Sequence, residues 1–281
     1  MDTSDKRRLY VVSDVHGFFD ELRTALDEAG FFDDVSATLI LLGDALDRGE
    51  QTREVVDFLL KLNSENFDES GKERPDSEKR LIYIRGNHED LFSDALYDVC
   101  KSRFFDGMSF ATYGYNGTFD SMCSIAGMSE DEAHDYPEMF GTLVRESRYY
   151  RELLPTARDY YETDGYIFTH GWIPTHVSEE NGKKTYSYNP EWREADRDAW
   201  RQARWLNGME ICCTGGVREP RKVVVCGHIC ASWGHCNVTR TCDKSWRSEH
   251  ADRYPFVAPG IIAIDGGYAQ TKKTNIVVIE A

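Results

Sequence analysis

Long apolar runs are absent from this sequence. No stretch approaches the ~18 consecutive apolar residues that a membrane-spanning helix needs. The first ten residues are charged, and no apolar signal-peptide stretch follows them. We therefore expect a soluble, cytoplasmic protein with no membrane partner.

Basic residues are scarce relative to acidic ones. The chain carries 33 Lys and Arg against 49 Asp and Glu, which gives a net charge of −16. An acidic surface of this size repels polyanions, so we expect no nucleic-acid partner. The sequence also lacks a Gly-x4-Gly-Lys-Ser/Thr loop and a dinucleotide fingerprint, which leaves an ATPase or a dehydrogenase without support.

Cysteines are too few and too unevenly spaced for a secreted disulfide scaffold, because only eight occur in 281 residues. Six of them fall between Cys212 and Cys242 without paired Cys-x2-Cys units, so we expect buried thiols rather than a structural zinc site. The segment Cys212 to Arg218 fits the Cys-x5-Arg outline of cysteine-dependent phosphatases. That reading needs a helix directly after the loop, whereas Pro220 leads straight into an apolar strand pattern.

Short β-rich runs and helical stripes make up much of the chain, and 41% hydrophobic residues supply a core. The N-terminal half reads β-α-β-α-β, which is typical of an α/β protein. Further helices are predicted over about 89–100, from Ser129 with Glu132 as capping-box partner, and from Pro190 with three tryptophans on one side. The sequence shows no repeat and no linker, and we predict one domain over 1–281, with helical insertions at about 101–164 and 178–221. The predicted strands are 9–12, 38–42, 81–84, 166–168, 223–225, 261–264 and 276–279.

Metal-ligating side chains follow five of these strands. Asp14 and His16 are two apart, so in extended backbone both leave the same face and can meet one cation. Carboxylates, imidazoles and amide oxygens suit divalent metals, and one carboxylate such as Asp44 can bridge two ions. Two metals about 3.5–4 Å apart can activate water and clamp phosphoryl oxygens. The five strand ends read Ser13-Asp-Val-His-Gly17, Gly43-Asp-Ala-Leu-Asp-Arg-Gly49, Arg85-Gly-Asn-His-Glu89, Thr169-His-Gly171 and Cys226-Gly-His228.

In order and spacing these segments resemble the calcineurin-like metallophosphoesterases, and within them the phosphoprotein phosphatase branch that includes the bacteriophage lambda phosphatase. The resemblance spans Asp14 to His228. It implies an α/β fold, a four-layer αββα sandwich of two mixed sheets flanked by helices, with the dimetal site at its edge. Asn116, in an Asn-Gly segment similar to one in bacterial members, is placed near the substrate phosphate.

The resemblance also assigns the site residues. One metal would be held by Asp14, His16 and Asp44. Asp44 would bridge to a second metal, which would be completed by Asn87, His170 and His228. Arg48 would grip the phosphate, His88 would protonate the leaving oxygen, and Asp47 would fix the tautomer of His88 and favour its charged form. The cofactors implied are two divalent ions, manganese first, with iron and zinc as alternatives.

One departure concerns Cys230, because many superfamily members carry Gly-His-x-His where this chain has Gly227-His-Ile-Cys230. The phosphoprotein branch also lacks the second histidine, which leaves water or the Cys230 thiolate to complete the first metal. His235 is the nearest rival to His228 in sequence, and we expect it to be structural.

The function implied is hydrolysis of phosphomonoesters by in-line attack of a metal-bound hydroxide, most closely that of a serine/threonine protein phosphatase. Its partner would be a phosphorylated protein or a small phosphoester. Symmetrical dinucleoside polyphosphate hydrolysis, as in diadenosine tetraphosphatases, is the alternative enzyme reading. A non-catalytic scaffold that kept the fold is the alternative of another class, and the intact pair of His88 and Asp47 argues against it. The oligomeric state is left open.

Overall fold

The computed structural model of the protein describes residues 7–101, 107–180, 182–241, 245–271 and 274–280. Within these ranges, no helix combines the length and apolar character needed to cross a membrane.

Eleven strands form in the described part of the chain, and nine of them make two mixed sheets. The first sheet has the order β11-β1-β2-β3, and the second has the order β4-β5-β8-β10-β9. In each sheet three strands are parallel, namely β1, β2 and β3 in the first, and β5, β8 and β10 in the second. The remaining pair, β6 and β7, is a separate antiparallel hairpin. The strands are β1 Arg8–Val12, β2 Thr38–Leu41, β3 Leu81–Tyr83, β4 Tyr160–Glu162, β5 Tyr166–Thr169, β6 Thr175–Glu180, β7 Lys183–Tyr188, β8 Val223–Cys226, β9 Phe256–Ala258, β10 Ile261–Ala263 and β11 Val277–Glu280.

Helices cover the outer faces of both sheets. The seven predicted strands and the predicted helix at 89–100 are all present, with ends that shift by one or two residues. Single 3-10 turns occur at Asp76–Glu78, Leu154–Thr156 and Trp192–Glu194, and π turns at Tyr149–Leu153 and Glu210–Thr214. The α-helices are α1 Phe19–Glu28, α2 Thr52–Ser64, α3 Asn87–Cys100, α4 Gly107–Asn116, α5 Thr118–Ala126, α6 Glu130–Asp135, α7 Pro137–Glu146, α8 Arg197–Ala203, α9 Ser232–Asn237 and α10 Tyr268–Thr271.

The core has three apolar layers, and strand β1 shows why. Leu9 and Val11 point into the layer between the two sheets, whereas Tyr10 and Val12 point into the layer under the helices of the first sheet. Both faces of the strand are therefore buried, which explains why its sequence is continuously apolar instead of alternating. A third layer, around Trp172 and Trp192, lies on the outer side of the second sheet. The predicted four-layer αββα sandwich of two mixed sheets is confirmed.

Two helix predictions need correction. Ser129 caps its helix as predicted, with Glu132 Oε2 accepting from the Ser129 backbone N–H at 2.9 Å, but that helix ends after one and a half turns and a new one starts at Pro137. Proline lacks a backbone N–H, so it fits the first turn of a new helix better than the interior of a long one. Likewise, the helix predicted from Pro190 is a 3-10 turn followed by α8, which Asp196 caps by accepting from the Ala199 N–H.

The region predicted as a second helical insertion, 178–221, begins differently. It opens with the end of β6 and all of β7, where the acidic Glu179 lies opposite the basic Lys184. Such cross-strand pairs stabilise a hairpin that buries little apolar surface. Periodicity in this polar stretch is too weak to have shown it.

Candidate active site

Six parallel strands, three from each sheet, direct their carboxyl ends to one edge of the sandwich. Side chains that follow parallel strands collect at such an edge. The two sheets are joined there directly: the His228 N–H donates to Asp14 Oδ2 at 2.9 Å, and His170 Nδ1 donates to the Leu42 carbonyl at 2.6 Å. The residues predicted for the metals, the phosphate and proton transfer all lie at this edge: Asp14, His16, Asp44, Asp47, Arg48, Asn87, His88, His170 and His228.

The backbone at this edge adopts an uncommon conformation. Seven non-glycine residues of the described chain have positive φ, and six of them are at the site, the seventh being Arg240. Left-handed backbone costs a non-glycine residue about 1–3 kcal/mol and clusters at functional sites. The turns therefore hold their side chains in place at a cost in stability. The six residues are Asp14, His16, Asp44, Asp47, Arg48 and His228.

Glycines of the motifs allow the turns to approach one another closely. A Cβ atom on Gly86 would overlap the Asp44 carboxylate, and one on Gly227 would overlap Asp14. Gly117 has φ of +82°, and a Cβ there would overlap the backbone of Arg48. The Asn-Gly segment thus abuts the turn that carries Arg48, which explains its presence near the site.

The first group of candidate metal ligands comprises His16, Asp44 and His88, whose ligand atoms all lie within 4.8 Å of one another. His16 Nε2 lies 3.7 Å from Asp44 Oδ2 and 3.9 Å from Asp14 Oδ1. Asp14 is thus within reach of the same position, as the resemblance implies. The presence of His88 in this group was not expected, since the sequence comparison gave it a proton-transfer role.

The second group comprises Asp44, His170 and His228, again within 4.8 Å of one another. His170 Nε2 lies 3.4 Å from Asp44 Oδ1 and 2.8 Å from Asn87 Oδ1. Asp44 belongs to both groups, with one carboxylate oxygen facing each. This is the arrangement that a bridging carboxylate requires.

The hydrogen bonds of the imidazoles fit a metal centre. His16 Nδ1 donates to the Leu46 carbonyl at 3.0 Å and His170 Nδ1 donates to that of Leu42, so the Nε2 atom of each ring faces the cluster. Histidine ligands of metals commonly donate their other ring N–H in this way. With two carboxylates and an amide oxygen alongside, the donor set suits two hard or borderline divalent ions.

Charges in the cluster also fit a cation site. Burial opposes the ionised form of Asp44, but the neighbouring His170, His88 and His16 outweigh it and hold the pKa of Asp44 well below its usual value. Burial likewise opposes protonation of His170, yet Asp44 raises the pKa of His170 to about 10. Without metal, an imidazolium therefore neutralises the carboxylate, and a bound metal would displace that proton. Burial and the charge on His170 lower the pKa of His228 to about 3, which leaves that ring neutral.

His88 and Asp47 form a buried pair. His88 Nδ1 lies 2.6 Å from Asp47 Oδ2, and the Thr118 hydroxyl donates to the same oxygen at 2.7 Å. Burial lowers the pKa of His88, but Asp44 and Asp47 outweigh it and raise the pKa above its usual value. The pair is positioned by α5, because Ser121 Oγ accepts from the Asp47 N–H at 2.9 Å.

Arg48 spans both imidazoles of the first group. Its NH1 lies 2.9 Å from His16 Nε2 and its NH2 lies 3.1 Å from His88 Nε2. The residue is exposed, so the guanidinium covers the cluster on the side open to solvent. A phosphate that approached the cluster would meet this planar pair of donors first.

Glu89 holds two of the turns together, although the sequence assigned it no role. Its Oε2 accepts from the N–H groups of Asp44 and Gly86, at 2.9 and 2.7 Å. Its Oε1 accepts from the Ala45 N–H at 3.0 Å and the Tyr83 hydroxyl at 2.7 Å. Four donors saturate this buried carboxylate, which makes it a positioning residue for Asp44.

Asp265 was missed by sequence reasoning. It follows β10 and accepts from the Gly267 N–H at 2.6 Å, and burial, followed by the charge on Asp14, raises its pKa to about 8. The signal was present, because a predicted strand at 261–264 is followed by Asp-Gly-Gly just as the other strands are followed by Asp or His with Gly.

A cavity of about 540 Å³ opens from the cluster. Arg48, His16 and His228 form its inner wall, and Asn116 lies on the same cavity, with its side-chain amide donating to the Thr112 carbonyl at 2.8 Å. Tyr115, Trp246 and Arg247, which are at least partly exposed, form its outer wall, and the buried Tyr268 also lines the cavity.

The remaining candidates lie apart from the cluster. Cys230 belongs to neither group in the described chain; its sulfur instead accepts from Arg253 NH1 at 3.1 Å and lies 3.2 Å from the Ser232 hydroxyl oxygen. His235 is structural, since its Nε2 bonds the Tyr254 carbonyl at 3.0 Å.

The cysteine expectations are confirmed in part. Cys212, Cys226 and Cys230 are buried free thiols, whereas Cys236 is disulfide-bonded, and Cys242 lies outside the described residues. Cys212 points at the Pro259 carbonyl at 3.7 Å, and its neighbour Cys213, together with burial, raises its pKa. A buried thiol with a raised pKa is a poor nucleophile, so the covalent reading of Cys212 to Arg218 stays without support.

The three tryptophans predicted to share one helix separate into two roles. Trp192 and Trp200 are buried in the core. Trp205 is half exposed, and its ring meets that of His228 edge-on at 5.7 Å.

Comparison with known proteins agrees with this geometry. Residues 7–264 match the family model described as calcineurin-like phosphoesterase. The chain belongs to the calcineurin-like phosphoesterase family. It is therefore a phosphoester hydrolase of a family that uses a dinuclear divalent metal centre.

Among solved structures, one with a TM-score above 0.5 shares the fold at low sequence identity, and two others resemble the chain more distantly. A cold-active protein tyrosine phosphatase matches 98% of this chain and 74% of its own, with 16% identity and a TM-score of 0.54. A protein serine/threonine phosphatase from Saccharomyces cerevisiae matches 100% of this chain and 82% of its own at 13% identity, with a TM-score of 0.47. A protein provisionally assigned as a diadenosine tetraphosphatase matches 100% and 96%, at 13% identity and a TM-score of 0.44.

Proposed function

We propose that this phosphoesterase hydrolyses phosphomonoesters in the manner of a serine/threonine protein phosphatase, with two divalent metals, manganese first. The observation that supports this most is the position of Arg48, whose guanidinium reaches the imidazoles of His16 and His88 at once. A phosphate on Arg48 would lie between the metal ligands and a histidine that can transfer a proton.

The metal ligands on this proposal are Asp14, His16 and Asp44 for one ion, and Asp44, Asn87, His170 and His228 for the other. Bound metals supply an activated water and neutralise phosphoryl charge. Everything else falls to the protein's own side chains.

Arg48 binds and orients the phosphate. In the free enzyme its NH2 donates to His88 Nε2, which needs that nitrogen to be unprotonated. A bound phosphate takes the guanidinium donors, because charge-assisted bonds to an oxyanion are stronger than a bond to imidazole. Nε2 is then released to carry a proton.

His88 delivers that proton to the leaving oxygen. Asp47 keeps Nδ1 protonated and stabilises the imidazolium, so the transferable proton sits at Nε2, toward the cluster. General acid catalysis of this kind matters most when the leaving group is a poor one, such as a serine alkoxide.

A substrate panel tests the proposal. Initial rates would be measured on a phosphoserine peptide, p-nitrophenyl phosphate and diadenosine tetraphosphate, alongside metal analysis of the purified protein. We expect two metals per chain and turnover of both monoesters. Preference for diadenosine tetraphosphate would favour dinucleoside polyphosphate hydrolysis, and full metal occupancy without turnover of any substrate would favour a scaffold.

A further inference from the structure

The outer wall of the active-site cavity carries a second arginine. Arg247 lines the same cavity as Arg48, His16 and His228, although the chain as a whole carries a net charge of −16. Among the described residues, Arg247 has no carboxylate partner within ion-pair distance, unlike Arg193 or Arg204. Its charge is therefore available to a ligand.

Arg247 is held in place by its neighbour. Its guanidinium lies 4.8 Å from the centre of the Trp246 ring, a cation–π contact that reduces the conformational freedom a long side chain would lose on binding. The Trp246 carbonyl in turn accepts from the Ser232 hydroxyl at 2.7 Å, and Ser232 is fully buried.

The hydrogen bond between Ser232 and Trp246 connects the outer wall of the cavity to the turn that carries His228. Ser232 Oγ also lies 3.2 Å from the Cys230 sulfur, and Cys230 lies two residues after His228. Arg253 strengthens the connection, since its NH1 reaches the same sulfur and its NH2 donates to the Ser248 carbonyl at 3.2 Å. Arg247 is thus presented from a fixed support and not from a freely moving loop.

The cavity is large enough to use this charge. Its volume of about 540 Å³ lies in the range of sites that enclose a whole small ligand, so a phosphate on Arg48 would occupy only part of it. Asp265 is the one carboxylic acid among the described lining residues; it is 6% exposed, and its Oδ1 is engaged by Gly267. The exposed outer wall is therefore cationic and aromatic.

We propose that Arg247, supported by Trp246, is a specificity-determining residue that selects phosphoesters whose leaving group carries a second anionic group. The inference rests on the proposed function, because it places the scissile phosphate on Arg48. The second group is a carboxylate or another phosphate, since both offer the oxygen pair that a guanidinium binds.

Binding of non-hydrolysable analogues tests this without turnover. Calorimetric Kd values for the manganese-loaded protein would be compared for benzylphosphonate, 4-carboxybenzylphosphonate and the diphosphonate of p-xylene. We expect the two dianchored analogues to bind about two- to fivefold tighter than benzylphosphonate, as a partly exposed ion pair allows. A larger gain for the diphosphonate than for the carboxylate would identify phosphate as the second group, and the reverse order would identify a carboxylate.

Variants then assign the gain to one residue. Arg247→Gln should abolish the difference in Kd between benzylphosphonate and the two dianchored analogues, and should leave the Kd of benzylphosphonate within about twofold of the wild-type value. Arg247→Lys should keep part of that difference. Arg23→Gln, which removes the same charge from the exposed face of α1, should keep all of it.

Equal binding of all three analogues to the wild type, or a ratio that survives Arg247→Gln, would overturn the inference. Phenyl phosphate turnover checks the proposed function separately. If the dianchored analogues bind more tightly but phenyl phosphate is not hydrolysed, the anion site at Arg247 is supported and the proposed function fails. If phenyl phosphate is hydrolysed but all analogues bind equally, the proposed function is supported and the anion site fails.

Discussion

Replacing His88 by asparagine distinguishes the two roles that the geometry allows this residue. As a general acid, His88 acts on the leaving oxygen and holds no metal. As a member of the first ligand group, with its Nε2 3.9 Å from Asp44 Oδ2, it could instead hold an ion together with His16. Asparagine is polar and smaller, so it removes the imidazole without burying an apolar group among charges.

The expected size of the effect depends on the leaving group. Positioned acids contribute about 10²–10⁴ in rate, which corresponds to about 3–5 kcal/mol of transition-state stabilisation. We expect kcat on a phosphoserine peptide to fall within that range, because the serine alkoxide is strongly basic. The deficit on p-nitrophenyl phosphate should be visibly smaller, since its leaving anion needs the proton less.

Asp47→Asn should follow the same pattern more mildly, at about 10–100-fold on the peptide, because it removes the partner of His88 but not the acid itself. The loss of the carboxylate at 2.6 Å also removes one of the groups that raise the pKa of His88. The protonated fraction then declines at a lower pH, so the alkaline limb of the kcat profile should move to lower pH.

Metal analysis completes the assay. His88→Asn should retain two metals per chain, as should the control His250→Asn, whose side chain is 70% exposed. Loss of one metal in His88→Asn alone would make His88 a ligand. Equal deficits on both substrates with full occupancy would mean that His88 orients phosphate or water, and the role of the Asp47 pair would fail with it.

Other substitutions test the candidate metal ligands, the role of Cys212 and the stability of the fold. Asp44→Asn or His228→Ala should lose metal and more than about 100-fold in activity together, as read by elemental analysis and initial rates; retention of both metals in Asp44→Asn would contradict the bridge. Cys212→Ser should keep kcat within about twofold, and abolished turnover in a folded, metal-loaded variant would revive a covalent mechanism. Gly86→Ala should destabilise the protein by about 1–3 kcal/mol in urea titrations, because its Cβ overlaps the Asp44 carboxylate; an unchanged midpoint would mean that the turns can separate. Glu162→Gln should lower the free energy of unfolding by about 1 kcal/mol at pH 7, because its arginine and lysine partners lower the pKa of Glu162 to about 2. This contribution to stability is complete above about pH 4.5 and should vanish as the pH falls through 2.

The sequence predicted the strands, and it placed the candidate ligands after them, because both depend on short local patterns. Buried parallel strands read as unbroken apolar runs, and β1 to β3 and β8 were recognised in this way. The turns after them carry ligands within a few residues of each strand end, so linear spacing was sufficient. Asp265 shows the limit of this approach. The approach depended on matches to known motifs, and the segment after β10, which carries Asp265, matches no such motif.

Features that depend on tertiary contacts could not be read from spacing. Glu89 accepts from the N–H groups of Asp44 and Gly86, which are more than forty residues apart in the sequence. The division of the tryptophans into core and site depended on the bounds of α8, which begins after its N-cap Asp196 and ends at Ala203, before Trp205; periodicity shows neither bound. The β6–β7 hairpin has little apolar signal, and the anchor between Ser232 and Trp246 joins residues with no motif between them.

The site depends on both sheets being in register, and the central apolar layer provides this. One metal group draws only on turns of the first sheet, whereas the other needs His170 and His228 from the second. The bond from His170 to the Leu42 carbonyl and the contact of Gly227 with Asp14 join the sheets at the edge. These two contacts connect turns whose backbone is strained, so they do not align the two sheets by themselves. The alignment comes from the packed aliphatic side chains of β1, β2, β8 and β10 directly behind the turns. Loosening that layer should therefore release the second metal before the first, while the pair of His88 and Asp47, built entirely on the first sheet and α5, stays intact.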